Sequence, residues 1–114
     1  AYIIQWRWVL SLHWENSWLI LKKNMDDEKT LLFIREEIDS IDSELIVLLE
    51  SRLNLSLQIG NVKRNLGKKL HDDAREELIL KKIDELAILY PKEDLKSIFL
   101  EIMKTSLSVQ QPDE

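Results

Sequence analysis

Residues 34–63 read IREEIDSIDSELIVLLESRLNLSLQIGNVK, and this stretch decides the fold. The positions Ile34, Ile38, Ile41, Leu45, Leu48, Arg52, Leu55, Ile59 and Val62 follow one another in alternating steps of four and three. That is the spacing of a helix seam that faces a partner helix. Eight of the nine are aliphatic and the ninth is an arginine. A guanidinium stays protonated in proteins, and a buried charge without a partner is strongly destabilising. A seam tolerates one when something anionic comes to meet it. Arg52 is therefore the first candidate for a ligand-binding group, with a buried glutamate as the competing partner.

Outward from this stretch the helical pattern runs unbroken from about Thr30 to about Asn65, ~36 residues or ~54 Å at 1.5 Å per residue. A periodic run of that length suggests a coiled coil or an interlocked bundle rather than a compact monomer. Gly67 is a stop signal. A short basic loop follows, Lys68-Lys69-Leu70-His71, and Asp72 and Asp73 then open a second helix. Glu76 stands three residues after Asp73, as in a capping box. This helix carries Leu78, Ile79, Ile83, Leu86, Ala87 and Leu89 and ends before Pro91. Pro91, Glu93 and Asp94 begin a third, since proline suits a first helical turn and acidic groups suit its dipole. Its apolar face is Leu95, Ile98, Phe99, Ile102, Met103 and Leu107, and it fades into a polar tail from Gln110 to Glu114. The expected fold is all-α: one very long helix and two shorter ones, in an intertwined homodimeric helical bundle.

Composition agrees. A chain of 114 residues fits one domain; 45% hydrophobic residues allow a real core, and two Gly and two Pro favour helices over sheets. Cysteine is absent, which excludes disulfides and thiol chemistry and fits a reducing, cytoplasmic compartment. A net charge of −5 argues against a nucleic-acid partner, so basic residues that matter act locally. All four tryptophans (Trp6, Trp8, Trp14, Trp18) precede Met25, where the composition breaks. Gln5, Arg7, His13, Glu15 and Asn16 interrupt residues 2–21 too often for a membrane span, and no basic n-region or small-residue cleavage site marks a secretory signal. Residues 1–24 read as an N-terminal extension ahead of a domain over residues 25–114. The competing reading is a native helix or arm that covers the site. No second enzymatic domain is expected after Gln110.

Certain polar residues on or beside the apolar stripes need explaining. Arg35 adjoins the first seam position. Lys63 lies eleven residues after Arg52, within ~20° of the same face at ~100° per residue. Asp72, Arg75 and Glu76 cluster on the first turn of the second helix, and Ser106 and Gln110 share a face of the third. Four cations, two carboxylates, a hydroxyl and an amide suit a small, doubly anionic molecule with a hydroxyl group, because arginine's fork of donors matches the two oxygens of a carboxylate. Taken singly, each has a plainer reading: a helix cap for Asp72 and Glu76, a surface ion pair for Arg75, an i,i+4 pair with Asp39 for Arg35, a snorkelling side chain for Lys63, a frayed helix end for Ser106 and Gln110. Their joint spacing favours a site. Arg35 and Arg52 are ~25 Å apart along one helix, so if both touch one small molecule, Arg35 comes from a second copy of the chain. A homodimer with shared sites follows. No metal constellation is legible, since His13 and His71 read as isolated.

The order of these pieces resembles the all-helical chorismate mutases. The opening Ile34-Arg35-Glu36-Glu37-Ile38-Asp39-Ser40-Ile41-Asp42 is followed by Leu48-Leu49-x-x-Arg52, Ile59-Gly60-x-Val62-Lys63, Asp72-x-x-Arg75-Glu76 and Phe99-x-x-Ile102-x-x-x-Ser106-x-x-x-Gln110. The resemblance covers about Leu31 to Gln111. It implies a dimer with two sites, each enclosed by helices of both chains, and the conversion of chorismate to prephenate in phenylalanine and tyrosine biosynthesis. That reaction needs no cofactor, metal or covalent intermediate. The resemblance further implies that Arg52 and the partner subunit's Arg35 clamp the two carboxylates. Lys63 and Gln110 would meet the ether oxygen. Glu76, with the backbone near Asp72, would hold the ring hydroxyl, and Arg75 and Ser106 would support these contacts. Arg52, Lys63, Glu76 and Gln110 are then the expected catalytic residues, and Arg35, Asp72, Arg75 and Ser106 the expected substrate-binding ones. No nucleic acid and no membrane are expected as partners.

Two other functions compete. An isochorismate pyruvate lyase on the same fold would keep the arginine clamp and the lysine and relax the cluster on the second helix; intact Asp72, Arg75, Glu76 and Ser106 favour the mutase. A non-catalytic dimerisation module would use Arg52 only to set the register of its seam.

Overall fold

The computed structural model of the protein describes residues 26–111. The extension expected over residues 1–24 lies outside them, as do Met25 and residues 112–114 of the expected domain. The described residues form three helices and no strand: α1 (Asp27–Leu66), α2 (Asp73–Leu86) and α3 (Lys92–Gln110). The expected all-α order of one long helix and two shorter ones is present.

Helix α1 has 40 residues and starts three before the expected Thr30. Asp26 explains the difference. Its carboxylate accepts the Lys29 N–H at 2.8 Å, and its carbonyl accepts from the Thr30 N–H at 3.0 Å and from the Thr30 hydroxyl at 2.9 Å. Asp27 and Glu28 sit in the first turn, where negative charge suits the helix dipole. The other end stops at Gly67, whose φ of 67° is the left-handed conformation that costs a side-chain-bearing residue more. The Lys68 N–H donates to the Lys63 carbonyl at 2.8 Å and the Gly67 N–H to the Arg64 carbonyl at 3.1 Å, the paired bonds of a Schellman cap.

The described residues divide into two units, one ending at Ile46 and one beginning at Val47. In the first, Ile38, Ile41 and Leu45 of the seam are about half exposed. In the second, α2 and α3 pack on one another, and Ile83 and Met103 are buried between their apolar faces. Lys96 of α3 pairs with Asp84 of α2 at 2.9 Å, and Lys92 donates to the Asp84 carbonyl at 2.9 Å. The Lys96 hydrogen bond holds the Asp84 carboxyl below the usual carboxylate range, and the same bond pushes the Lys96 ammonium up.

Helix α2 ends earlier than expected, at Leu86 rather than just before Pro91. Ala87 is extended (φ −74°, ψ 119°), and its N–H closes the helix on the Ile83 carbonyl. Residues 87–91 are used as the connection, and Pro91 steers the residue before it away from helical angles. Leu89 therefore leaves the expected apolar face and is 95% exposed. Pro91 itself is the cap of α3 rather than its first helical residue.

Leu55, Ile59 and Val62 of the seam in the second unit are as open as Ile38, Ile41 and Leu45 of the first. Across both, Ile38, Ile41, Leu45, Leu55, Ile59 and Val62 are each 48% to 58% exposed. No helix among the described residues is long and apolar enough to cross a membrane.

Candidate active site

One cavity of about 270 Å³ in the second unit gathers most of the expected site residues. Arg52, Lys63, Asp72, Arg75, Glu76, Ser106 and Gln110 all line it. Arg35 belongs to the first unit, is exposed, and does not line this cavity. The volume lies near the lower end of the range for small-molecule sites, ~300–1,000 Å³. Leu55, Ile59, Ile79, Met103 and Leu107 supply its apolar wall.

Arg52 projects from α1 and is half-buried. Its Nη1 donates to Ser106 Oγ at 3.2 Å. The Ser106 hydroxyl in turn donates to the Ile102 carbonyl, four residues back on α3, at 3.0 Å. Its single proton is thus committed to the helix, and only a lone pair faces the guanidinium. The buried glutamate that sequence reasoning offered as an alternative partner is not there: among the described residues no carboxylate pairs with Arg52. A cation held by a neutral hydroxyl retains its capacity for an anion.

Lys63 is anchored through the loop that follows α1. Its carbonyl accepts the Lys68 N–H in the helix cap, and its Nζ donates to the Leu70 carbonyl at 3.0 Å. The cap made by Gly67 returns the chain so that Leu70 reaches this ammonium. An oriented lysine costs side-chain entropy, and here part of that cost is met before any ligand arrives.

The first turn of α2 corrects the expected capping box. Asp72 is the N-cap, extended at φ −133° and ψ 93°, and its carboxylate accepts the Arg75 N–H at 3.0 Å. With Asp72 at the cap, the third helical position is Arg75, so the Asp73–Glu76 pairing of a box is out of register. The Glu76 N–H donates to the Asp72 carbonyl at 3.1 Å, while its half-buried side chain turns to the cavity. There Glu76 Oε1 lies 3.2 Å from His71 Nε2, and Asp73 Oδ1 lies 3.4 Å from the same nitrogen. His71 is therefore not isolated, a second correction. The three groups place ligand atoms within 4.8 Å of one another, a spacing that would suit a metal ion. His71 and Asp73 are open to solvent, and both carboxylates lie against the one imidazole nitrogen, which is the arrangement of a surface polar cluster.

Two polar lining residues escaped sequence reasoning. His71 lies in the loop that the cap of α1 folds back, a tertiary fact. Ser56 is buried and lines the cavity one turn after Arg52; its i,i+4 spacing from Arg52 was a legible signal.

A family model described as chorismate mutase type II matches residues 34–111. A bifunctional chorismate mutase/prephenate dehydratase from Aquifex aeolicus is 35% identical over 83 residues, which cover 68% of this chain and 23% of that protein. A chorismate mutase from Methanocaldococcus jannaschii is 34% identical over 53 residues, 46% of this chain and 54% of that one. The chain thus spans about a quarter to a half of these relatives. A solved structure of chorismate mutase (form II) from Thermus thermophilus superposes with a TM-score of 0.68 at 31% identity, covering 74% of this chain and 98% of that one.

Proposed function

The chain belongs to the chorismate mutase type II family, and from that premise we propose that it converts chorismate to prephenate, as a homodimer whose two sites are each built from both subunits. The observation that carries the reading is the convergence of Arg52, Lys63, Arg75, Glu76 and Gln110 on one small cavity.

The reaction is an intramolecular rearrangement in which an ether C–O bond breaks as a C–C bond forms. No group is transferred to or from the protein. Catalysis then rests on holding the reactive shape and on stabilising negative charge at the ether oxygen. In the proposed site Arg52 binds one carboxylate and Arg35 of the partner subunit the other, which folds the enolpyruvyl arm over the ring. Lys63 and Gln110 donate to the ether oxygen as it gains charge. Glu76 accepts the ring hydroxyl beside the backbone at Asp72. Arg75 and Ser106 support these contacts, Ser106 through its bond to Arg52.

The dimer has its own support. A row of half-exposed aliphatic residues at seam spacing, on a single long helix, calls for an apolar partner surface. A second copy supplies one, and it also supplies the arginine that this cavity lacks.

The direct test gives the full chain chorismate and isochorismate separately. Prephenate from chorismate is the expected product. Pyruvate from isochorismate, with chorismate left intact, would move the chain to lyase chemistry on the same fold. Subunit sharing has a separate test. Arg35→Ala and Arg52→Ala chains are each expected to be inactive. Mixed after unfolding and refolding, they should form heterodimers with one intact site and regain part of the turnover. Heterodimers shown to be present yet inactive would mean that each chain builds its own site.

A further inference from the structure

Gln110 holds a demanding position. It is the last residue of α3, and terminal turns fray because their backbone groups lack helical partners. Two residues of α1 counter this. Gly60 is buried, and a Cβ placed there would lie 3.0 Å from Gln110 Cγ and 3.2 Å from Gln110 Cβ. Carbon atoms pack at ~3.5–4.0 Å, so the glycine is what allows the Gln110 side chain to lie directly against the α1 backbone. One turn further on, Arg64 Nη1 donates to the Gln110 carbonyl at 2.6 Å. The other end of the same guanidinium donates to Asn61 Oδ1, which fixes its plane. Neither Gly60 nor Arg64 lines the cavity.

We propose that Gly60 and Arg64 are positioning residues for Gln110: together they pin the last turn of α3 to α1 and so hold the carboxamide at the cavity. The inference rests on the reading of Gln110 as a donor to the substrate. The two residues act differently. Gly60 permits the approach and sets how close the side chain comes, whereas Arg64 satisfies a carbonyl at the helix end and stops the turn from unwinding. Arg64 also carries a charge that the substrate does not meet, so its effect on the reaction should run wholly through Gln110.

The test uses the full chain with Arg64→Ala and Gly60→Ala, each alone and combined with Gln110→Ala. Arg64→Ala is expected to lower kcat ~10-fold with KM changed less than ~2-fold, because the lost contact matters most as charge develops. In the Gln110→Ala background the same substitution should change kcat by less than ~2-fold, since coupled residues are non-additive. Equal losses in both backgrounds would overturn the proposal and leave Arg64 a purely structural residue. If Gly60→Ala does not fold, Arg64→Ala decides alone. A second readout does not depend on turnover. The side-chain amide signal of Gln110, assigned by its disappearance in Gln110→Ala, should shift in Arg64→Ala, and the amides of the last turn of α3 should exchange faster with solvent. An unmoved signal with unchanged exchange counts against the pin. A parent chain that leaves chorismate untouched would sink the proposed activity, and the amide signal would still decide the positioning.

Discussion

Arg52→Leu is expected to abolish nearly all turnover and to leave the protein folded, in the oligomeric state of the parent and at least as resistant to heat. The two halves of this expectation come from one observation. Arg52 occupies a position of the seam where every other member is aliphatic, and its partner within the chain is a neutral hydroxyl. Replacing a partly buried charge by an apolar residue in such a seam is often neutral or stabilising. Little is lost locally, because the Ser106 proton stays committed to the Ile102 carbonyl and no buried donor is orphaned. In the proposed reaction the substrate, by contrast, loses the group that would grip one carboxylate. Removing one oriented donor in other enzymes costs ~10²–10³ in rate, and in the proposed site this charged one would also enforce the reactive shape, so a loss at or beyond the upper end is expected. Thermal unfolding followed by circular dichroism, sedimentation and chorismate consumption together check the prediction. A non-catalytic dimerisation module would show the same stability with nothing further to lose. An Arg52→Leu protein with undiminished turnover would remove this residue from the site.

Lys63→Met should cost a comparable factor, ~10²–10³ in kcat, with a smaller change in KM. Methionine keeps most of the length and apolar stem and removes only the ammonium, so the packing of α1 should change little. The split between the two constants follows from when the charge appears. An ether oxygen in the bound substrate is a weak acceptor, while in the transition state it carries developing negative charge, and only the second is met much better by an ammonium than by a thioether. Lys63→Arg provides the control. It keeps the charge on a different shape, and the Leu70 carbonyl that now receives the ammonium was set at 3.0 Å for a compact donor. Partial activity in Lys63→Arg with none in Lys63→Met would mark a charge effect tuned by position. A large rise in KM with kcat unchanged would mean that Lys63 serves binding alone.

The order of the helices was legible because it depends on local rules. Four-three spacing from Ile34 to Val62 reports a helix whatever surrounds it, and Gly67 ends that helix through its own backbone freedom. Details that depend on which of two similar neighbours acts were not legible. Asp72 and Asp73 are equally good caps on paper, and only the register of α2 selects Asp72 and so frees Glu76 from a capping box. Leu89 fits an apolar stripe by spacing, yet the connection to α3 takes it out of the helix and exposes it. The gathering of Arg52, Lys63, Glu76 and Gln110 could be anticipated from spacing along each helix. The contacts that hold Arg52, Lys63 and Gln110 could not, because Ser106, Leu70, Gly60 and Arg64 meet them across separate elements, and spacing within one helix does not say which residue of another it meets.

The committed proton of Ser106 has an electrostatic consequence. No carboxylate among the described residues pairs with Arg52, and Arg52, Lys63 and Arg75 outnumber Asp72 and Glu76 along the cavity, so its lining is formally cationic on a protein whose formal net charge is −5. An anion approaching from solution feels these cations chiefly within a Debye length, ~8 Å at physiological salt. Attraction therefore acts only over the final steps of entry, which favours small ligands that reach the floor of the cavity over bulky polyanions that stay at its mouth.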